Sequence, residues 1–437
     1  MRTKASRHVE LNVPILGDNE RPGMYKGAPL MSQYLTLGSA NFTQKSFQPD
    51  EILAQNCMLI TNKPSLERAC SLLCCAAFLS LSAHLRCSGN RVAAPVSVRS
   101  FAAPTYALDP SFPRPSSVSF NAVSWVAEDP RSGLIYVLQR SQPPISAWTT
   151  DGKLVSSWST QVLGDPHSIS FPPGPIGTTL AWVTDMAPPQ PAGQGYGHCL
   201  RALGLSGNVL STIGTCAQNS QGTGLNPVQF DKVTDIAWDA ADELLVTDGD
   251  LDGLNNRVLK LDPNGNVLAS WSAPGDQPGS GPAQFNLPHA LVVDRCDRMW
   301  IADALNHRVQ VIGSDGTYHG ALTSFGDLGV YAIAFGPSFD SPAQSILFIG
   351  ASPTSGGGTG MVFLFAAPMD CTHPDIADLT AFADFAVPLP PSTSTTLLHS
   401  MTVDPKTWDV YLGVLGGNLP PQKWVAQWSG GKPSGPQ

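Results

Sequence analysis

Apolar and polar residues alternate along the chain in a strand pattern that recurs six times between about residue 120 and the end. Each unit begins with one alternating strand, at residues 124–129, 167–171, 234–239, 289–294, 331–335 and 399–404. A second strand follows after a turn, at residues 134–138, 180–184, 243–247, 299–302, 346–349 and 409–413. Third and fourth strands are joined by turns such as Asp262-Pro263-Asn264-Gly265. Four strands at a period near forty residues predict an all-β, six-bladed β-propeller, with a β-sandwich as the alternative.

The sixth unit has only three recognisable strands, and a propeller closes its ring by pairing both chain ends in one blade. We expect a strand over residues 118–123 to complete it. The predicted organisation is a disordered extension over 1–57, a signal-containing segment over 58–88 and a Pro/Ser-rich linker over 89–117. The propeller then takes residues 118–430, and a tail follows over 431–437.

The apolar stretch from Ala69 to Leu85 lies between Arg68 and Arg86 and has the length of a signal-peptide core. Met58 stands upstream, which suggests that translation starts there and that cleavage follows Ser82-Ala83-His84. This predicts a protein of the secretory pathway that is released to the extracellular space. The alternative is an uncleaved segment that anchors the chain in the membrane by a single span.

Composition agrees with a turn-rich β protein, since 41 glycines and 39 prolines accompany only 14% charged residues. A net charge of -9 without a basic block argues against a nucleic-acid partner. We expect a monomer. Cys199 and Cys216 flank a hairpin and either form a disulfide or remain free thiols, and Cys296 with Cys371 is a second candidate pair.

Histidine occupies the first position of every second inner strand. The six equivalent positions are Ser124, His167, Thr234, His289, Tyr331 and His399. In a ring of six blades, alternate blades give a three-fold arrangement around the axis. Three neutral imidazoles arranged in this way bind zinc and leave one coordination position open. The alternative is three polar residues that line the channel and bond to backbone or water.

Alternating aspartates follow the second strand of the third unit. Asp248, Asp250 and Asp252 stand at every second position, with Gly249 after the first and Gly253 after the last, as at the start of a calcium-binding loop. The acid expected at the twelfth position is missing, since Leu259 stands there. The candidates are therefore a calcium site and a solvated acidic turn.

Two resemblances follow from these motifs. The pattern Asp…Asn-x-Arg-Val, as in Asn306-His307-Arg308-Val309, resembles the NHL repeat. The settings of His167, in Asp165 to Ile169, and of His289, in Gly279 to Leu291, resemble those of peptidyl-α-hydroxyglycine α-amidating lyases. That resemblance implies a six-bladed propeller whose three histidines, here His167, His289 and His399, hold zinc. It also implies that Arg140, which ends the stretch Tyr136 to Arg140, binds the substrate carboxylate.

The chain departs from that lyase family at three places. The tyrosine that acts as the base after Asp-Gly is absent, because Asp248-Gly249 is followed by Asp250. Ala304 replaces a second arginine, and Ser400 replaces an aspartate that helps to hold calcium. Asp250 or Asp252 is then the candidate base, with Asp250 the nearer to the position of the missing tyrosine.

The predicted function is a zinc-dependent lyase that cleaves a peptidyl-α-hydroxyglycine to a peptide amide and glyoxylate. The alternative is a non-catalytic NHL-repeat propeller that binds a protein, peptide or glycan. In either case the expected partner, a peptide substrate or a protein ligand, binds at the channel face.

Overall fold

Six four-stranded antiparallel sheets form the part of the chain that the structure, a computed structural model, describes. It describes residues 103–159, 163–186, 198–216, 224–338, 344–371, 376, 379–391 and 396–429. Each sheet is one blade, and the predicted six-bladed propeller is confirmed.

The strands follow one another in chain order without a crossover, apart from the first. They are β1 (Thr105–Leu108), β2 (Val123–Asp129), β3 (Leu134–Gln139), β4 (Ile145–Trp148), β5 (Leu154–Trp158), β6 (Pro166–Ser170), β7 (Thr179–Asp185), β8 (Cys199–Gly204), β9 (Val209–Gly214), β10 (Val233–Trp238), β11 (Leu244–Asp248), β12 (Arg257–Leu261), β13 (Val267–Ser272), β14 (Pro288–Val293), β15 (Arg298–Asp303), β16 (Arg308–Gly313), β17 (Tyr318–Leu322), β18 (Leu328–Ser338), β19 (Gln344–Pro353), β20 (Gly358–Pro368), β21 (Ala381–Leu389), β22 (Leu397–Val403), β23 (Val410–Leu415) and β24 (Gln422–Gln427). Two short 3-10 turns, Pro274–Asp276 and Ala304–Asn306, are the helical segments of the described residues.

The core lies between neighbouring blades, where the apolar faces of adjacent sheets meet. The tryptophans at alternating strand positions take part in this packing, as the sequence predicted: Trp158, Trp182, Trp238, Trp271 and Trp300 all belong to or pack against the buried clusters. Trp300 is fully buried, and its indole N–H donates to the carboxylate of Asp294 at 2.9 Å. A buried indole with a partner for its N–H gains apolar contact at no polar cost.

The turns between third and fourth strands fix the spacing of the blades. Gly207 and Gly316 adopt φ values of 78° and 89° there. A Cβ at Gly316 would lie 2.6 Å from the indole nitrogen of Trp271, on the outer strand of the preceding blade. Glycine is thus required at this position for two reasons, the left-handed backbone and the close approach of the indole.

The strand that closes the ring is β1, and the sequence prediction of a closing strand over residues 118–123 is wrong. β1 pairs antiparallel with β24, from Thr105 opposite Gln427 to Leu108 opposite Trp424. It lies within the range 89–117 that the sequence assigned to a linker. Up to the start of β2 at Val123, the segment predicted as the strand is instead a connection: Gln139 donates to the carbonyl of Ser119 at 3.2 Å and accepts from the N–H of Asn121 at 3.0 Å.

Both predicted disulfides are present. Cys199 and Cys216 are bonded with their Cα atoms 5.1 Å apart, and Cys296 and Cys371 with theirs 5.2 Å apart. The first links two parts of blade two. The second joins the β14–β15 turn of blade four to the segment after β20 in blade five, so it ties two blades together.

Several predictions fall on residues outside the described part of the chain. They are the extension 1–57, the segment 58–88 with its signal peptide or anchor, and the tail 431–437. Among the described residues, no helix has the length and apolar character needed to span a membrane.

A matched pair of truncations tests the closing strand. A chain of residues 103–437 should keep the melting temperature of the full protein, because it retains β1. A chain of residues 110–437 should melt at least about 5 °C lower, because it exposes β24 and loses the ring stack of Tyr106 on Phe385, whose centroids lie 4.4 Å apart. Circular dichroism measures both, and equal melting temperatures would contradict the assigned closure.

Candidate metal centre

Three histidine side chains from alternate blades meet on the channel axis. His167 lies on β6, His289 on β14 and His399 on β22, the innermost strands of blades two, four and six. Their ring centroids lie 4.4 to 4.7 Å apart, and all three side chains are buried. One nitrogen from each lies within 4.8 Å of the other two.

The imidazole tautomers follow from the hydrogen bonds on the far side of each ring. His167 Nδ1 lies 2.8 Å from the carbonyl oxygen of Thr234, and His289 Nδ1 lies 2.6 Å from that of Tyr331. His399 Nδ1 lies 2.7 Å from the carbonyl oxygen of Ser124. A carbonyl only accepts, so each Nδ1 carries the proton and donates it. Each Nε2 therefore presents a lone pair to the axis.

These lone pairs have no suitable partner among the described residues. His289 Nε2 and His399 Nε2 lie 3.2 Å apart, and two acceptors cannot share a hydrogen bond. His167 Nε2 is buried and accepts no hydrogen bond. Burial, together with the charges of the neighbouring histidines, lowers the pKa of His167 and His399 well below the usual value, so a proton does not resolve the contact.

A metal ion fits this donor set. Zinc prefers neutral imidazole nitrogens at about 2.0–2.1 Å in tetrahedral geometry, which places pairs of ligand nitrogens about 3.3 Å apart. The separation of His289 Nε2 and His399 Nε2 is close to that spacing. The Nδ1–H donations to backbone carbonyls are the outer contacts that typically fix a metal-binding histidine.

Trp125 closes one side of the three histidines. Its ring centroid lies 5.7 Å from that of His167, 6.1 Å from His289 and 6.3 Å from His399. Because the three distances are similar, the indole lies near the axis. Tyr331 packs its ring against His289 at 5.2 Å, and burial, together with the charge of Asp250, raises the pKa of its phenol to about 12.

Polar residues lie around the histidines. Asp250 Oδ2 is 3.8 Å from His167 Nε2, too far for a hydrogen bond. Arg140 Nε lies 2.7 Å from Asp165 Oδ1, and its charge contributes to the lowered pKa of all three histidines. Burial raises the pKa of Asp165, while Arg140 and, more weakly, Lys232 act to lower it. The structure thus brings together His167, His289, His399, Arg140 and Asp250, the residues predicted for metal and substrate.

The three aspartates of the predicted calcium loop do not come together as ligands. In the described ranges, the only group of three or more potential metal ligands is the three histidines. Asp248 is fully buried and accepts from Arg257 Nε at 2.9 Å and Asn255 Nδ2 at 2.8 Å. Its carboxylate is therefore committed to a structural ion pair, which has an equivalent in Asp303 and Arg308 of the next blade, at 2.8 Å.

Comparison with known proteins places the chain in a family. No family model matches the chain. NHL repeat-containing protein 3 of Mus musculus is 32% identical over 322 residues, which cover 72% of this chain and 82% of that protein. This chain belongs to the family of NHL repeat-containing protein 3.

Two further relatives are similar over shorter ranges. NHL repeat-containing protein 3 of Homo sapiens is 33% identical over 237 residues, 53% of this chain and 64% of that protein. A probable peptidyl-alpha-hydroxyglycine alpha-amidating lyase of Caenorhabditis elegans is 33% identical over 88 residues, 20% of this chain and 24% of that protein. The similarity to the lyase is therefore confined to a short stretch.

The sequence alone did not identify Trp125 and Tyr331 as parts of the site. Both belong to inner strands that the alternation identified, and Tyr331 occupies the position equivalent to the histidines. Trp125 could have been found from its place directly after Ser124, whose carbonyl accepts the hydrogen bond that orients His399. The direction of each side chain depends on strand twist and on irregular pairing at the strand start, which the alternation does not reveal.

Asp235 joins the inner strands next to the histidines. One carboxylate oxygen accepts from the N–H of Ile236 at 2.8 Å, and the other accepts from the N–H of Leu291 in blade four at 3.1 Å. Ser170 of blade two donates a longer bond of 3.4 Å. The group is fully buried, and this burial raises its pKa to about 7 despite the donated bonds.

The raised pKa of Asp235 predicts a specific dependence of stability on pH. Below about pH 4 the carboxyl is protonated in both the folded and the unfolded chain. Between about pH 4 and pH 7 it stays protonated in the folded chain but ionises in the unfolded chain, so the free energy of unfolding falls as pH rises. Asp235→Asn cannot titrate. In urea unfolding, the free energy of unfolding of the wild type relative to that of the variant should be lower at pH 8 than at pH 4.5 by roughly 2–4 kcal/mol, since each pKa unit is worth about 1.4 kcal/mol.

The control for that comparison is Asp242→Asn, an exposed carboxyl in the turn of the same blade's inner hairpin. It removes the same charge from a solvated position and should give no such pH-dependent difference. A constant difference between wild type and Asp235→Asn at the two pH values would contradict the assignment.

Proposed function

We propose that the chain binds one zinc ion through His167, His289 and His399. The observation that carries this proposal is the convergence of three buried Nε2 lone pairs, each fixed by an Nδ1–H bond to a backbone carbonyl. Zinc held there would act as a Lewis acid toward an oxygen of the bound ligand. With Trp125 on one side, the side near Asp250 remains for that ligand.

We further propose that the ligand is a peptidyl-α-hydroxyglycine, cleaved to a peptide amide and glyoxylate. The resemblance of the histidine settings and the short match to a probable amidating lyase support this substrate. Arg140 would bind the carboxylate of the substrate in place of Asp165, and Asp250 would accept the proton of the substrate hydroxyl. As the C–N bond breaks and the hydroxyl carbon becomes the aldehyde carbonyl of glyoxylate, Asp250 would return that proton to the amide nitrogen. Ala304 is buried in an apolar cluster with Tyr331 and contributes no second cation.

A second function, a non-catalytic propeller that binds a protein, peptide or glycan at the channel face, is favoured by one observation. The position that carries a tyrosine in the related lyases carries Asp250, and the phenol that does lie at the site, Tyr331, comes from another blade.

We also propose that the protein is a monomer that passes through the secretory pathway, either released or anchored. Two disulfides support the oxidising compartment, because such bonds persist mainly outside the cytosol.

The metal content of purified protein tests the first proposal. The wild type should contain about one zinc per chain by mass spectrometry of the metal, and His167→Ala with His289→Ala should contain almost none, because a single remaining imidazole holds zinc weakly. The control is His319→Ala, a histidine on β17 outside the site. Metal-free wild type, or zinc unchanged in the double variant, would reject the site.

Glyoxylate release from a peptidyl-α-hydroxyglycine tests the reaction. Arg140→Met should raise KM at least about tenfold by removing the carboxylate contact, and Asp250→Asn should lower kcat by roughly 100-fold by removing the proton acceptor. Both variants should retain zinc. A wild type that holds zinc and releases no glyoxylate would show that the second function applies.

A further inference from the structure

The connection between β11 and β12 presents two leucines to solvent beside the three histidines. It begins directly after Asp248 and includes Asp250, whose carboxylate lies next to His167. Leu251 and Leu254 on this connection are 46% and 55% exposed. Exposed leucines are common singly, but two on one short turn at the edge of a buried polar site are unusual.

Hydrogen bonds hold this turn in place. The N–H of Gly253 donates to the carbonyl of Asp250 at 2.9 Å, and the N–H of Leu254 donates to the carboxylate of Asp231 at 2.8 Å. The N–H of Gly249 donates to the carbonyl of Lys232 at 3.1 Å. At Gly249, φ is 155° and a Cβ would lie 2.3 Å from the carbonyl oxygen of Asn255, so the chain enters the turn by one close-packed path.

The leucines are therefore held in position and do not pack against the core. Burying a leucine side chain stabilises a protein, so a fixed turn that leaves two of them in water forgoes that stabilisation. An apolar group of a ligand that covers the two leucines would recover this stabilisation.

The position of the turn indicates which part of a ligand this is. Arg140 provides a cation near the histidines, and Asp250, whose carboxylate lies 3.8 Å from His167 Nε2, directly precedes Leu251 in the chain. In a peptide whose terminal carboxylate reaches Arg140, the Cα of the preceding residue lies about 3.8 Å from that of the last one. The charges of Arg140 and Asp250 both act on the nearby Asp165, so the preceding residue of such a peptide lies on the side of the site where the turn with Leu251 and Leu254 begins.

We propose that Leu251 and Leu254 form a subsite for an apolar side chain immediately before the C-terminal residue of a bound peptide. This inference rests on the proposed function, in that the peptide carboxylate binds at Arg140. It adds a selectivity that the three histidines and Arg140 do not provide, since those groups contact only the terminal residue.

Binding of two dipeptides tests the subsite without any catalytic step. The probes are N-acetyl-leucyl-glycine and N-acetyl-aspartyl-glycine, which share a carboxylate and lack the hydroxyl that a lyase would require. By isothermal titration calorimetry on the full zinc-loaded chain, the wild type should bind the leucyl probe at least about tenfold more tightly, as expected for burying one leucine. In the double variant Leu251→Ser, Leu254→Ser this preference should fall to about twofold or less.

Leu205→Ser is the matched control, because Leu205 is 57% exposed on the turn between β8 and β9. It should retain the wild-type preference. Arg140→Met should weaken both probes together. A wild type without preference, a preference that survives in the double variant, or no measurable binding of either probe would overturn the subsite. Glyoxylate release is measured separately, so the proposed reaction can fail while this preference stands, and the reverse.

Discussion

The hydrogen bond from each Nδ1–H to a carbonyl of the next blade is the interaction on which the site depends. Three such bonds, at 2.6 to 2.8 Å, fix the tautomer and the direction of three imidazoles at once. Each acceptor is the residue that occupies the histidine position in an odd-numbered blade, so all six inner strands contribute, three by a side chain and three by the backbone. A change in the spacing of neighbouring blades would therefore reorient a histidine before it affected the core.

The sequence predicted most of the fold because its alternation repeats with a constant phase, and the same phase gave the three histidines. It did not predict the closing strand, since Thr105–Leu108 is four residues long and carries little pattern of its own. It also suggested calcium at Asp248, Asp250 and Asp252. Spacing alone does not reveal that Arg257 and Asn255 already donate hydrogen bonds to the carboxylate of Asp248. Short motifs are ambiguous because their partners come from distant parts of the chain, as Ser124 and His399 do.

Four acids of the inner part of the blades divide into two classes by what neutralises them. Asp248 and Asp303 lie against arginines of their own blade and hold the strands of the repeat together. Asp235 accepts hydrogen bonds from backbone N–H groups and from a hydroxyl. Asp250 lies at the edge of the histidines, and none of the contacts described above brings a cation within hydrogen-bonding distance of it. The acids near the channel are thus held by weaker compensation than those of the repeat, which is the arrangement expected where a protein retains polar groups for binding or chemistry.

Closure by β1 has a consequence for how the molecule is made. Thr105 pairs with Gln427, so the strand that emerges early from the ribosome finds its partner only when nearly the whole chain has been synthesised. Until then blade six has an open edge, and such edges favour intermolecular association. His399 also belongs to that blade, so the proposed zinc ion would find all three of its ligands in place only once the ring has been completed.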